Sequence, residues 1–366
     1  MLSEPSIGIC ILTYNSSTTI PYTLHFLLRQ NYPKDKIFYL VVDGGSNDNT
    51  VEIVKNILSK HTINYQIIVV PHSNIPQARN ICLDMLVRKN VSYVIFVDSD
   101  ILLVPTNILS EVIKVAKQHP YAIIGANRSL KSFKDEQSMY SYINSLVTKE
   151  MKINIKLQDL KPTLCSGMDF TVIPFELAKK LRFNEKLNFR EDRYYTMEAF
   201  KNGHTTFTYK IPDGVIDVNI VKEAKSDLYW RLSVREYFSD IFAKSLVEII
   251  YVLGCGEGLK YRNLFSFIVK HCGNFFFFLS PFLAVLAAIQ YNILLSILFT
   301  FIRIISLLGY VTYKHIQGYP TKKAIQNRLK FELFSVLLLF LTPETIPKAV
   351  RIHRLFKKHI AFTALS

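Results

Sequence analysis

The first half of the chain alternates short apolar runs with longer segments whose apolar residues recur at helical spacing. The runs are ICIL (9–12), LVV (40–42), IIVV (67–70) and VIFV (94–97). Continuous apolar runs of this length suit strands covered on both faces, as in a parallel sheet between helical layers. The pattern predicts strands over 7–12, 37–42, 65–70, 93–97 and 121–125, with helices over 19–30, 50–60, 77–88 and 107–118. Such a strand–helix series is an α/β fold with a mainly parallel sheet.

Toward the C-terminus the pattern changes. Residues 275–291 carry no formal charge, and 293–311 carry only Arg303. As helices rising about 1.5 Å per residue, both segments approach the roughly 30 Å hydrocarbon thickness of a bilayer. Lys260, Arg262 and Lys270 precede the pair, and Lys314, Lys322, Lys323, Arg328 and Lys330 follow it. Basic flanks face the cytosol, so a two-helix transmembrane hairpin is expected, in which Arg303 needs a partner or a lipid phosphate. Residues 331–341 are too short to span and are expected to re-enter or lie at the interface. Residues 234–253 suit an amphipathic helix, lying on the membrane or packing on the domain. The expected organisation is a catalytic domain over 1–225, interfacial helices over 226–272, the hairpin over 273–313 and a basic cytosolic tail over 314–366. No basic segment precedes the first apolar run, so the catalytic part is expected in the cytosol.

Charge sharpens this division. The 366 residues hold 44 Lys and Arg against 29 Asp and Glu, a net +15. From Lys260 onward there are 14 basic residues and two acidic ones, Glu332 and Glu344. The excess therefore belongs to the hydrophobic tail and describes a membrane anchor, with no nucleic-acid partner expected. The five cysteines form no C-x-x-C pair and read as reduced thiols.

Ligands of an open parallel sheet bind beyond the carboxyl ends of its strands. There stand Thr13-Tyr14-Asn15, Asp43-Gly44-Gly45-Ser46 and Asp98-Ser99-Asp100. Asp98 and Asp100, two residues apart, can turn their oxygens toward one Mg²⁺ or Mn²⁺, or can serve a turn. Asp43 can accept hydrogen bonds from a base or ribose, or belong to a helix-start loop with Asp48. Tyr14 can stack on a base, and Arg79 can pair with a diphosphate or lie at the surface.

Taken in order, TYN (13–15), VVDGGSNDNT (41–50), QARN (77–80), VDSD (97–100), SGMDF (166–170) and NFREDRYYTMEAFKNGH (188–204) resemble the family 2 glycosyltransferases of the GT-A fold. The resemblance covers about residues 6–220. It implies a Rossmann-like mixed, mainly parallel sheet followed by an α-helical membrane region. It also implies a nucleotide-sugar donor, such as a UDP- or GDP-sugar, and direct displacement with inversion. On this pattern Thr13, Tyr14, Asn15 and Asp43 hold the nucleoside, and Arg79 meets the donor's phosphates or ribose. Asp98 and Asp100 hold the metal, and Asp192 is the acceptor's base with Glu191 beside it.

The pattern has departures. Cys82 stands where glycine is usual after QARN, Gly44 stands where a second Asp is common, and the Q-x-x-R-W signature of processive synthases is missing. With its apolar tail the chain is similar to polyprenyl-phosphate sugar synthases such as the dolichol-phosphate mannose synthases. Leu102 takes the polar third position of their D-x-D-x-Q pattern, leaving Asp217 or Asn219, in a stretch that reads as a strand, as candidates. The expected activity is transfer of one sugar to a lipid-linked acceptor at the membrane. The alternatives are a soluble or protein acceptor, a nucleotidyltransferase, and a non-catalytic nucleotide-binding protein.

Overall fold

The computed structural model describes residues 4–187 and 190–220, together with 276, 279–286, 289, 293–316, 321, 325, 328, 332 and 345–359. The chain divides into two compact units, Met1–Asp227 and Leu228–Ser366.

In the first unit, β1 (Ile7–Thr13), β2 (Ile37–Asp43), β3 (Asn64–Val69) and β4 (Tyr93–Asp98) run parallel in the order β3-β2-β1-β4. Their side chains alternate between two cores, as a two-residue strand repeat requires. Ile7, Ile9 and Ile11 of β1, with Ile95 and Val97 of β4, meet Leu24, Val54 and Val112. Those three come from α1 (Ile20–Leu28), α2 (Thr50–Leu58) and α4 (Ile108–Gln118). On the opposite face Cys10, Val94 and Phe96 meet Leu83, Leu177 and Ala199. These belong to α3 (Ile75–Arg88), α6 (Phe175–Lys180) and α7 (Glu191–Lys201). Each such aliphatic side chain contributes about 1.5–3 kcal/mol on burial, and the two-sided cover explains the unbroken apolar runs.

Beyond β4 the sheet continues through β9 (Phe170–Pro174), β6 (Ile123–Asn127), β10 (Thr206–Lys210) and β8 (Lys161–Thr163). Strand β9 is antiparallel to both β4 and β6, and β8 is antiparallel to β10. The strand expected over 121–125 starts two residues later, as β6. A second sheet, ordered β5-β11-β7, is built from β5 (Ile101–Leu103), β7 (Ser129–Phe133) and β11 (Val215–Ile220). It packs on α5 (Glu136–Val147) through Leu102, Ile216, Val218, Met139 and Ile143. Leu102 is thus a core residue, which is why its position carries no polar side chain. Chain order reverses beside β1, between β2 and β4, and opens the ligand-binding crevice of such sheets at their carboxyl ends.

Cys10 and Cys82 are joined by a disulfide between β1 and α3, and Cys165 is a buried thiol outside that bond. The reading of all five cysteines as separate thiols is therefore corrected for this pair. Packing of α3 onto β1 brings together residues 72 apart in sequence.

In the second unit, Ile293–Ile316 is a helix. Its part Ile293–Thr312, 20 residues of mean hydropathy 2.1, is by length and composition long and apolar enough to cross a membrane. Arg303 has a protein partner: its Nη1 donates to Glu332 Oε1 at 2.6 Å, and Arg328 Nε donates to the same oxygen at 2.8 Å. Within the first expected hairpin helix, residues 276, 279–286 and 289 are helical. The rest of 275–291, the segment 234–253, and 331–341 apart from Glu332 lie outside the described residues.

Candidate functional site

Two loops are stitched together at the ends of β1 and β2. Thr13 and Asp43 are register partners, and Thr13 Oγ1 donates to Asp43 Oδ2 at 2.7 Å. Ser46 Oγ donates to the same oxygen at 2.6 Å, while Gly45 N and Ser46 N donate to Asp43 Oδ1 at 3.0 and 2.7 Å. A carboxylate offers about four lone-pair sites, so this fully buried one is saturated by the protein and organises the loop. Gly45 takes φ +89°, and a Cβ there would lie 2.9 Å from Pro71 Cα, so only glycine fits the turn. Across the gap, Asn15 N donates to Ser46 Oγ at 2.8 Å and Asn47 N donates to Asn15 Oδ1 at 2.8 Å. Tyr14 stands out from this platform, 54% exposed. Ser46, named in the sequence as part of this loop, binds the Asp43 carboxylate, whereas the role of Asn47 was not marked by the spacing.

The Asp98-Ser99-Asp100 loop is held through its middle and its ends. Ser99 Oγ and Ser16 Oγ share a hydrogen bond of 2.9 Å, and Thr23 Oγ1 donates to Ser99 O at 2.9 Å. Asp98 N donates to Asp169 O at 3.0 Å, and Val218 N donates to Asp100 O at 3.1 Å. The carboxylates of Asp98 and Asp100 are half-buried at the end of β4. Among the described residues no three His, Cys, Asp or Glu side chains are grouped to hold a metal ion. Two carboxylates fit a hard cation that takes its remaining ligands from phosphate oxygens and water, the usual donor set for Mg²⁺ or Mn²⁺. Asp217 is buried and receives Arg128 Nε at 2.7 Å, so its carboxylate is engaged by that arginine.

Arg79 lies beneath this loop, only 4% exposed. A capping box between Asn74 and Gln77 starts α3 and sets its position. Its Nη1 donates to Glu191 Oε1 at 2.6 Å, and its Nη2 stands 3.7 Å from Asp98 Oδ1. The guanidinium also lies 5.9 and 5.4 Å from the ring centres of Phe96 and Phe183. Burial and the Asp192 charge push the Glu191 carboxyl up to about 7, against the pull of Arg79. Glu191 and Asp192 open α7 directly after Arg190, whose φ is +62°. Asp192 Oδ1 accepts from Arg193 N at 2.7 Å. A Cβ on Gly167 would lie 2.9 Å from Asp169 Oδ2 and 3.6 Å from Asp192 Oδ2, so both carboxylates pack close to this glycine and Asp169 leaves no room for a side chain there.

A model of glycosyl transferase family 2 matches residues 8–181. That segment is a glycosyltransferase family 2 domain. Over 204 residues the chain is 24% identical to the poly(ribitol-phosphate) beta-N-acetylglucosaminyltransferase TarS of Staphylococcus aureus, covering 54% of this chain. The chain spans 33% of that relative's length. Among solved structures, the mannosyltransferase PcManGT from Pyrobaculum calidifontis, in complex with GDP-Man and Mn²⁺, gives a TM-score of 0.50 at 14% identity. The match covers 92% of this chain and 87% of that one. S. aureus TarS 1–349 in complex with UDP-GlcNAc gives 0.47 at 18% identity, over 69% and 68% of the two chains.

The transferase domain has the GT-A fold, and its three loops meet at one sheet edge. The crevice brings Thr13, Asn15 and Asp43 into one bonded platform, and Arg79, Asp98 and Glu191 into one ionic cluster. The family match ends at residue 181, so Glu191 and Asp192 lie beyond it. Arg128 and Asp169 complete the crevice: Arg128 Nη1 pairs with Asp169 while its Nε holds Asp217. No spacing marked Arg128, whereas Asp169 lies within the SGMDF stretch.

Proposed function

We propose that this domain transfers one sugar from a nucleotide-sugar donor, a UDP- or GDP-sugar, to an acceptor at a membrane. The observation that carries this reading is the common edge at which Asp98 and Asp192 both flank the loop of Asp169. Asp98 bonds that loop through its backbone, and Asp192 approaches it at Gly167. Tyr14 offers its exposed ring to the base, over a platform that Thr13, Asn15 and the saturated Asp43 keep rigid. Asp98 and Asp100 would hold a Mg²⁺ or Mn²⁺ ion, whose charge offsets that of a leaving diphosphate. Arg79, buried against Glu191, acts as a positioning residue for Asp98. Asp192 removes the acceptor's proton as the acceptor oxygen attacks the anomeric carbon from the face opposite the leaving group, which gives inversion.

The apolar helix Ile293–Thr312 and the basic residues after it support anchoring in a membrane, with the transferase domain on the cytosolic side and a lipid-linked acceptor. The test is incubation of membranes carrying the full chain with labelled UDP-GlcNAc or GDP-mannose, with Mn²⁺ or with chelator. Label entering an organic-extractable product only with the cation supports the reading. No turnover of any nucleotide sugar would oppose it.

A further inference from the structure

Asp169 immediately precedes β9, whose first residue, Phe170, is the register partner of Val97. Through Asp98 N and Asp169 O the two aspartates therefore continue the β4–β9 ladder into the crevice. The Asp169 carboxylate packs at Gly167, where that of Asp192 also approaches. Arg128 fixes it there, with Nη1 on Asp169 and Nε on the buried Asp217 of β11. A planar guanidinium loses little freedom in holding two carboxylates, so Arg128 keeps Asp169 in place.

This composition favours one acceptor chemistry over another. Asp169 and Asp192 come together at Gly167, and Arg128 beside Asp169 is already engaged by Asp169 and Asp217. A phosphate acceptor is already anionic and needs no base. A hydroxyl acceptor is neutral, needs a base, and donates hydrogen bonds that carboxylates accept.

Resting on the transferase reading above, we propose that Asp169 orients the acceptor by accepting a hydrogen bond from a hydroxyl adjacent to the attacking one. The acceptor then reacts through one hydroxyl of a diol in a glycan or polyol, and not through a terminal phosphate. The attacking hydroxyl's proton passes to Asp192, and its oxygen bonds the anomeric carbon. The bond from that carbon to the diphosphate oxygen breaks, releasing the nucleoside diphosphate. Asp169 exchanges no proton.

The experiment presents the full chain in detergent with labelled UDP-GlcNAc or GDP-mannose, Mn²⁺, and two acceptor probes: a panel of octyl glycosides, and a polyprenyl phosphate in micelles. Label is expected on an octyl glycoside, in a bond that survives the mild acid that cleaves glycosyl phosphates. Asp169→Asn is expected to raise the KM for that glycoside about tenfold, the loss of one hydrogen bond, while the donor KM stays within about twofold. An analogue lacking the adjacent hydroxyl should cost wild type about tenfold in kcat/KM, which keeps the test open if the variant fails to fold. Label on the polyprenyl phosphate overturns the proposal, as does label on neither probe while donor is consumed, or an analogue used equally well. Absence of any donor turnover strikes the transferase reading instead.

Discussion

Arg79 and Glu191, 112 residues apart in sequence, meet at 2.6 Å beneath the Asp98 carboxylate, with both side chains buried. The pair ties α3 to the start of α7, and through Asp98 it ties both to the end of β4. Removing one partner of a buried pair leaves the other charge uncompensated. Glu191→Ala is therefore expected to destabilise the protein by about 3–5 kcal/mol, read as a fall in the melting temperature of the full chain in detergent. An unchanged melting temperature would show that Arg79 finds full compensation elsewhere.

The same carboxyl sets a pH dependence. Its value rises from an ordinary 4.5 to about 7 in the fold, by burial first and then by the Asp192 charge. A raised carboxylic pKa means that the fold favours the protonated form. The stability it contributes is complete below about 4.5 and is lost as pH rises through about 7. Glu191→Gln imitates the protonated form, so the wild-type melting temperature should fall relative to the variant's across that window. Parallel profiles would remove this group from the linkage.

Asp98 and Asp100 carry the cation reading. Asp98→Asn and Asp100→Asn are each expected to reduce sugar transfer by about a hundredfold or more, comparable to losing a preorganised electrostatic contact. Binding of Mn²⁺ with the donor nucleotide, followed by calorimetry, should weaken in parallel. Transfer at the wild-type rate in chelator would set the cation aside.

Tyr14 is the exposed ring beside the Thr13–Asp43 platform. Stacking of a base on an aromatic ring is worth about 1–3 kcal/mol, so Tyr14→Ala should raise the donor KM by roughly 5–150-fold. Tyr14→Phe keeps the ring and should stay near wild type. Equal KM values for the alanine variant would place the base elsewhere.

Asp43 is saturated by Thr13, Gly45 and Ser46. Asp43→Asn turns an amide group toward donors that need an acceptor, and should cost about 1–3 kcal/mol of stability in addition to donor affinity. Ser46→Ala removes a single donor and should have the smaller effect. A stable Asp43→Asn protein impaired only in donor binding would make Asp43 a direct ligand and not an organiser.

Much of this was legible in the sequence. The strands through VIFV and the helices between them fall within two residues of expectation, because strands covered on both faces leave continuous apolar runs. The clusters at residues 13–15, 43–46 and 98–100 were visible as polar breaks after those runs. The insertion of β9 antiparallel between β4 and β6 was not, since no local pattern records a strand's direction. Arg79 read as a ligand-facing or surface arginine because its cover, Phe96 and Phe183, comes from distant stretches. Arg128 was silent for the same reason: its meaning lies in Asp169 and Asp217, which only the fold brings to it. Arg303 was marked as needing a partner, and Glu332 became its partner only through packing within the second unit.

The most direct measurement compares wild type with Asp192→Asn in single-turnover transfer of labelled sugar, together with donor KM. Transfer is expected to fall by about 10²–10⁴-fold, the usual contribution of a general base, with the donor KM changed by less than about threefold. Transfer by Asp192→Asn at the wild-type rate would contradict it.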